Sequence, residues 1–247
     1  MRLTIVGSGP TFTSKPGNPS SSYLVEHLTT SILLDLGQGS FAELWRHGSF
    51  KDVAAVAISH MHADHNVDLI PLRHWVRYRN KGYGPALFAP PDLRRRMGDY
   101  QADPDFLADL SGESLHPGTF AVGDLLIEAG RVTHIPDSFA FRISVAGADG
   151  PGLVYSGDCS VADDLLPLIR PGDTLLSEAA FGSGAADSPM HLTAGQAASA
   201  AQRGGARRLV LTHILDGRDP DAALSAASKV FANESLLAEP GLRVEIG

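Results

Sequence analysis

Four potential metal ligands lie within six residues of this chain, between His60 and His65, in the run His-Met-His-Ala-Asp-His. The run follows the apolar stretch Val53 to Ile58, which has the length and composition of a buried strand. In an extended segment alternate side chains point to the same side, so His60 and His62 can meet one cation without distorting the backbone. The last two ligands of the run lie at a turn and can serve a second cation. The run therefore predicts a metal site at the end of a strand, and a histidine-rich surface loop is the alternative.

Short β-rich runs alternate with amphipathic stretches along the whole chain, which is typical of an α/β protein. Strands are predicted over Arg2 to Gly7, Ser22 to Glu26, Ser31 to Leu36, Val53 to Ile58, Leu125 to Thr133, Ser138 to Ala146, Gly152 to Tyr155, Thr174 to Ser177 and Arg208 to Thr212. Helices are predicted over His65 to Arg79, Pro91 to Tyr100, Pro104 to Leu110, Thr193 to Arg203 and Asp219 to Phe231. We find no internal repeat and no Pro/Ser-rich linker, so we expect one domain over residues 1–247.

Three further ligand-type residues follow predicted strands, where an α/β sheet usually presents its chemistry. His134 and His213 each come directly after such a strand. Asp158 follows Gly157, and a glycine there lets the backbone turn so that the carboxylate can face a cleft. Each of these residues alone would more often be a cap, a turn or a core residue. Their common placement predicts that they join the ligand run.

Composition narrows the classes of function. Twenty basic and 28 acidic residues give a net charge of −8 at pH 7, the reverse of the basic surface that binds long nucleic acids tightly. No apolar run approaches the roughly 18 to 20 residues that span a bilayer, and the first residues form a strand pattern rather than a signal peptide. Cys159 is the only cysteine, so no intramolecular disulfide can form. We expect a cytoplasmic protein that binds no membrane and for which RNA is a disfavoured partner.

These motifs, in this order and over nearly the whole chain, resemble the metallo-β-lactamase superfamily. The resemblance implies an αβ/βα sandwich of two mixed β-sheets flanked by helices. It also implies two metal sites joined by a shared carboxylate, with His60, His62 and His134 at the first, Asp64, His65 and His213 at the second, and Asp158 between them. Zinc suits this mixed imidazole and carboxylate set, and manganese or iron are alternatives.

Within the superfamily the chain is most similar to the ribonuclease Z-like branch. The similarity lies in residues 7–10 (Gly-Ser-Gly-Pro), 155–158 (Tyr-Ser-Gly-Asp), 177–181 (Ser-Glu-Ala-Ala-Phe) and 191–193 (His-Leu-Thr). In that branch the counterpart of His191 reaches the active site, so His191 is a catalytic candidate; the alternative is a residue at a helix start that contacts backbone. Glu178 can orient His191 or a ligating imidazole, or be an ordinary buried hydrogen-bonding group. Asp64 is a third candidate, as acceptor of a proton from a bridging water.

One departure from ribonuclease Z is the short spacing between His134 and Asp158. Only 24 positions separate them, and two strands and a turn fill these positions, so no room remains for a long arm that grips tRNA. In this the chain resembles the compact bacterial phosphodiesterases of the branch, which act on small substrates such as cyclic nucleotides. The resemblance then implies hydrolysis of a small phosphodiester, with two divalent ions lowering the pKa of a shared water.

Three alternatives stay open. The first is a ribonuclease Z-like endonuclease that processes RNA or tRNA 3′ ends. The second is a hydrolase of lactones, thioesters or other carboxyl esters, because the same metal centre can polarise a carbonyl. The third is a non-catalytic metal-binding module. Dimers are common in the branch. The helix around Trp75, where Arg73 and Arg77 share a face, is a candidate either for a dimer contact or for a pocket wall.

Overall fold

The computed structural model describes residues 1–80, 84–185 and 189–247. The strands of these residues are β1 (Arg2–Gly7), β2 (Ser22–His27), β3 (Thr30–Leu34), β4 (Val53–Ala57), β5 (Ala86–Phe88), β6 (Gly118–Val122), β7 (Leu125–Val132), β8 (Ser138–Val145), β9 (Leu153–Tyr155), β10 (Thr174–Glu178), β11 (Arg208–Thr212), β12 (Glu234–Leu237) and β13 (Arg243–Glu245). The helices are α1 (Ser40–Leu44), α2 (Ala63–Asn66), α3 (Leu69–Arg79), α4 (Leu93–Gln101), α5 (Ala194–Gly204) and α6 (Pro220–Ser228), with a 3₁₀ turn at Ala162–Leu165. None of the helices in these ranges has the length and apolar character that crossing a membrane requires.

The strands form two mixed sheets. The first has the order β13-β1-β2-β3-β4-β5, with antiparallel pairing from β13 to β3 and parallel pairing from β3 to β5. The second has the order β12-β11-β10-β9-β8-β7-β6, with parallel pairing from β12 to β9 and antiparallel pairing from β9 to β6. Neighbouring parallel strands need crossover connections, and most of these contain a helix that covers an outer face of a sheet.

Three apolar layers hold the sheets and helices together. The middle layer lies between the two sheets and includes Ile5 and Tyr23 from the first and Phe139 and Phe141 from the second. One outer layer packs α3 against the first sheet around Val56, and the other packs the alanine-rich face of α5 against the second sheet. The order is therefore helix, sheet, sheet, helix, which confirms the predicted αβ/βα sandwich.

The chain directions bring the predicted ligands to one edge of the sandwich. Strand β7 is antiparallel to β8, and β8 is antiparallel to β9, so β7 runs in the same direction as β9, β10 and β11. The carboxyl ends of these four strands lie along one edge, where His134, Asp158, Glu178 and His213 follow or end them. The backbone N–H of Phe139 donates to the carbonyl of Ser59 at 3.0 Å and joins the end of β4 to the same edge.

Two predicted helices differ from the observed elements. The helix predicted over Pro104 to Leu110 is wrong: these residues form successive turns, because the side chains of Arg73 and Arg94 bond the carbonyls of Phe106 and Leu107 at 2.7 and 2.9 Å. The helix predicted over His65 to Arg79 is divided into α2 and α3. The carbonyl of His65 accepts from the N–H of Leu36 at 2.8 Å, which ends α2.

Candidate metal centre

Four of the predicted ligands lie together at the ends of β4, β7 and β9, and they are His60, His62, His134 and Asp158. Nδ1 of His62 lies 3.0 Å from Nε2 of His60 and 3.3 Å from Nε2 of His134. Oδ2 of Asp158 lies 3.6 Å from Nε2 of His60 and 3.8 Å from Nε2 of His134. Ligand atoms of a tetrahedral ion with bonds of about 2.0–2.2 Å lie about 3.3–3.6 Å apart. The spacing of this first group therefore suits a divalent cation.

The second group consists of Asp64, His65 and His213. Nε2 of His65 lies 3.6 Å from Oδ2 of Asp64 and 3.3 Å from Oδ1 of Asp158. Nε2 of His213 lies 3.1 Å from Oδ2 of Asp64 and 3.7 Å from Oδ1 of Asp158. Asp158 thus turns one carboxylate oxygen towards each group, which is the placement that its predicted bridging role requires.

Unpaired buried atoms show that these residues fit metal ions. Nε2 of His65 and Oδ1 of Asp158 are buried, and neither has a hydrogen-bond partner among the residues that the structure describes. A buried polar group without a partner costs about 1–3 kcal/mol, and more if it is charged. A cation between these atoms would remove that cost. The imidazole and carboxylate donors also match the ligands that zinc and related divalent ions take in proteins.

The protonation of the histidines differs between the two groups. Burial lowers the pKa of His60 well below its ordinary value and lowers that of His134 to about 4. Both imidazoles are therefore neutral at pH 7 and can offer a lone pair. Burial also acts to lower the pKa of His213, but the charge of Asp158 and the hydrogen bond to Asp64 outweigh it and raise that pKa to about 9. The carboxylates of Asp64 and Asp158 thus favour the protonated, positively charged imidazole of His213 in the second group.

The comparison with known proteins places this centre in a family. Residues 30–214 match the sequence model of the beta-lactamase superfamily domain. The chain belongs to this superfamily. An uncharacterized protein of Mycobacterium tuberculosis is 33% identical over 94% of this chain and 87% of its own length. Ribonuclease Z of Haloferax volcanii is 25% identical, over 100% of this chain and 95% of its own length.

A solved structure has the same fold. The metallo-beta-lactamase fold protein YhfI from Bacillus subtilis superposes with a TM-score of 0.87, at 24% identity and over 99% of each chain. This likeness confirms the metallo-β-lactamase fold. The match to the family model confirms the superfamily that the motifs predicted, and the ribonuclease Z relative supports the ribonuclease Z-like branch. The chain is thus a metallo-β-lactamase-fold hydrolase with a histidine and aspartate site suited to divalent metal.

The imidazoles of this metallo-β-lactamase centre are oriented through their second ring nitrogens. Nδ1 of His60 lies 3.0 Å from Oγ of Ser59, and Nδ1 of His134 lies 2.9 Å from the carbonyl oxygen of Met190. The side-chain amide of Asn66 donates to the carbonyl of His62 at 2.8 Å and so fixes the backbone of the ligand run. Such contacts fix the ring orientation and the tautomer that faces a metal.

Asp35 is a functional candidate that the sequence analysis missed. Its buried carboxylate accepts hydrogen bonds from the N–H of Ser59 at 2.6 Å, the hydroxyl of Ser59 at 2.7 Å, the hydroxyl of Tyr155 at 2.6 Å and Nδ1 of His65 at 2.7 Å. It therefore orients one proposed ligand and anchors the start of the ligand run. The predicted strand ran to Leu36 and enclosed Asp35, whereas β3 ends at Leu34. The position of Asp35 just after the end of a strand is the sequence feature that could have identified it.

His191 and Glu178 form a pair beside both groups. Nδ1 of His191 lies 3.0 Å from Oε1 of Glu178 and 3.8 Å from Oδ2 of Asp158. Glu178 is buried at the end of β10 and also accepts from the N–H groups of Cys159 and Ala180 at 2.9 and 3.1 Å. Burial lowers the pKa of His191, but the hydrogen bond and charge of Glu178 outweigh burial and raise it. The structure brings the two residues together, and their catalytic roles stay predictions.

Proposed function

We propose that this chain is a dinuclear-metal phosphodiesterase that hydrolyses a small substrate such as a cyclic nucleotide. The observation that carries the proposal is the shared position of Asp158, with one oxygen 3.6 Å from His60 and the other 3.3 Å from His65. In this proposal two divalent ions, with Zn²⁺ as the first choice, would be held by two sets of residues. His60, His62 and His134 would hold one, Asp64, His65 and His213 would hold the other, and Asp158 would contribute to both. When bound, such ions acidify a water molecule and polarise a phosphate.

In this proposal, side chains of the protein carry out the proton transfers. Asp64 directs Oδ2 towards His213, and its Oδ1 has no hydrogen-bond partner in the described ranges, so Oδ1 is placed to accept a proton. Glu178 occupies Nδ1 of His191 and leaves Nε2 to act on the substrate. Because Glu178 raises the pKa of His191, the imidazole can stay protonated and donate to a phosphoryl oxygen or to the departing alkoxide.

A small substrate fits this chain better than RNA for two reasons. Residues 146–152 form only a short turn between β8 and β9, and the net charge of −8 opposes a polyanion. The alignment with ribonuclease Z extends over 306 positions, whereas this chain has 247 residues. The similarity to that relative along the full chain nevertheless makes RNA 3′-end cleavage the second candidate.

A substrate panel separates these activities. Protein that has been stripped of metal and reloaded with Zn²⁺ or Mn²⁺ would be offered bis(p-nitrophenyl) phosphate, cyclic nucleotides, a precursor tRNA, a lactone and a thioester. We expect turnover of the small phosphodiesters that depends on the added metal. Turnover of the precursor tRNA alone would favour the second candidate, and turnover of only the lactone or thioester would refute phosphodiester chemistry.

A further inference from the structure

A cavity of about 390 Å³ lies between the loop after β1 and the start of α1. Its walls include Thr11, Phe12, Asn18, Gln38 and Glu43. The ring of Phe12 is 72% exposed. Neither the mechanism above nor the packing of the sheets uses these side chains.

The loop that carries Phe12 is tied down on both sides of it. Oγ1 of Thr11 donates to Oδ2 of Asp64 at 3.2 Å, so the loop touches the candidate metal centre. Oγ1 of Thr13 and the N–H of Ser14 bond the carboxylate of Asp216 at 3.2 and 2.5 Å. Phe12 therefore lies between two anchored neighbours, so its backbone is held in place before any ligand arrives.

The polar groups of the cavity suit an uncharged partner. Oδ1 of Asn18 accepts from the N–H and the hydroxyl of Ser8 at 3.2 and 3.1 Å, which directs its amide nitrogen the other way. The side chain of Gln38 is exposed and lines the same cavity. The lining contains Glu43 and neither Lys nor Arg, so it does not attract a phosphate. A side-chain amide offers a donor and an acceptor together, which is the chemistry that recognises the edge of a base.

We propose that this cavity binds the nucleobase of the substrate. The face of the base would stack on Phe12, its edge would bond Asn18 and Gln38, and the phosphate would reach the metal centre past Thr11. The inference rests on the proposed function and deepens it, because it names the substrate as a nucleotide and identifies the residues that select it. Stacking on an aromatic ring accepts any base, whereas hydrogen bonds to the amides would distinguish one base from another.

The test compares two substrates that differ only in the base. Adenosine 3′,5′-cyclic phosphate and methyl riboside 3′,5′-cyclic phosphate would be hydrolysed by zinc-loaded protein and followed by phosphorus NMR. We expect Phe12→Ala to lower kcat/KM about 5- to 150-fold for the adenosine compound, mainly through KM, and to leave the abasic compound unchanged. Tyr100→Ala is the matched control, because Tyr100 is also exposed, at 76%, and lines a different groove.

A second variant tests the amide group. Gln38→Leu keeps a similar shape and removes the hydrogen bonds, so we expect the differences in kcat/KM among adenine, guanine, cytosine and uracil cyclic nucleotides to shrink. An equal loss on the abasic compound would mean that the loop acts through Thr11 on Asp64, and it would overturn the base site. Unchanged kinetics in both variants would overturn it as well.

Binding of free adenosine separates this inference from the proposed function. Saturation-transfer NMR on zinc-loaded protein needs no turnover. If adenosine binds the parent chain and not Phe12→Ala while no phosphodiester is hydrolysed, the base site stands and the phosphodiesterase proposal fails. If adenosine does not bind and the base does not affect hydrolysis, the base site is refuted and the phosphodiesterase proposal stands.

Discussion

At the scale of single residues, the candidate centre depends on a few groups that must keep their protonation and position. Asp35 accepts hydrogen bonds from Ser59, His65 and Tyr155 in a fully buried position. His191 depends on Glu178 in the same way. Asp35 and Glu178 orient other groups and are not themselves proposed metal ligands. Substituting them should therefore have different effects from substituting a ligand.

The distinction between ligand and catalyst can be measured. We expect His62→Ala to lose bound metal and all hydrolysis, because Nδ1 of His62 lies between two other ligand nitrogens. We expect His191→Ala to keep its metal and to lose about 100-fold or more in kcat, which is typical of general acid catalysis. Metal content by mass spectrometry and kcat on adenosine 3′,5′-cyclic phosphate, whose leaving group is an alkoxide, would be compared with His116→Ala, an exposed histidine outside the centre. Equal metal loss in both variants would contradict the assignment.

Asp35 should control metal affinity. Asp35→Asn replaces one carboxylate oxygen by an NH₂ group that cannot accept. Either the N–H of Ser59 or the three donors to the other oxygen, from Ser59 Oγ, Tyr155 and His65, therefore lose their acceptor. We expect zinc affinity to fall about 10- to 100-fold, measured by competition with a chelator. Tyr155→Phe removes one donor only and should have a smaller effect. An unchanged affinity in Asp35→Asn would show that His65 is oriented by other contacts.

Acidification should remove the two ions at different pH. The pKa of His134 is about 4, so its imidazole is already neutral at pH 7 and loses no proton when the first group binds metal. The pKa of His213 is about 9, so metal must displace a proton there, and affinity falls about tenfold per pH unit below that value. We expect dialysis at decreasing pH to give protein with one ion before protein with none. Simultaneous loss of both ions at every pH would argue against this order.

At the scale of elements, a buried ion pair holds the second sheet together. Arg142 of β8 donates from Nε and Nη2 to Asp173 at 2.8 and 3.0 Å. Asp173 precedes β10 and also accepts from the N–H of Gly152, just before β9, at 2.6 Å. One carboxylate thus ties together β8, β9 and β10, and the last two of these deliver Asp158 and Glu178 to the centre.

We expect Asp173→Ala to lower the free energy of unfolding by about 3–5 kcal/mol, because the guanidinium of Arg142 would be left buried and unpaired. The measurement is urea unfolding followed by circular dichroism. The matched control is Asp137→Ala, which breaks the exposed ion pair with Arg131 and should cost less than about 1 kcal/mol. Equal effects of the two substitutions would contradict a structural role for the buried pair.

At the scale of the whole molecule, one apolar layer is shared by both sheets. We propose that residues 1–247 therefore fold as one domain. We expect a single unfolding transition, with the same midpoint by circular dichroism and by the fluorescence of Trp45 and Trp75, which pack beside the first sheet. Zn²⁺ at 100 times its Kd should add about 2.7 kcal/mol for each of the two proposed sites and move both signals together. Two separate midpoints would indicate two domains.

Much of the fold was predictable because the residues of the central strands have the apolar pattern that marks a strand. The nine predicted strands all occur, with ends that differ by two residues at most. The four missed strands, β5, β6, β12 and β13, are the edge strands of the two sheets. Their residues are mostly exposed or half-buried, so they lack the apolar pattern that marks a strand, and they exist because a neighbouring strand pairs with them.

The sequence by itself determined which residues could ligate metal and that strand ends would present them. The ligand run begins three positions after the end of β4, and His134 and His213 follow β7 and β11, as the strand pattern predicted. Only the tertiary structure decided which oxygen of Asp158 faces which group. It also decided that Asp35 supports His65, and that Thr11 meets Asp64 across 53 positions of sequence. These contacts join strands and loops that are distant in sequence, and their geometry is set by how the two sheets pack, which no local pattern encodes.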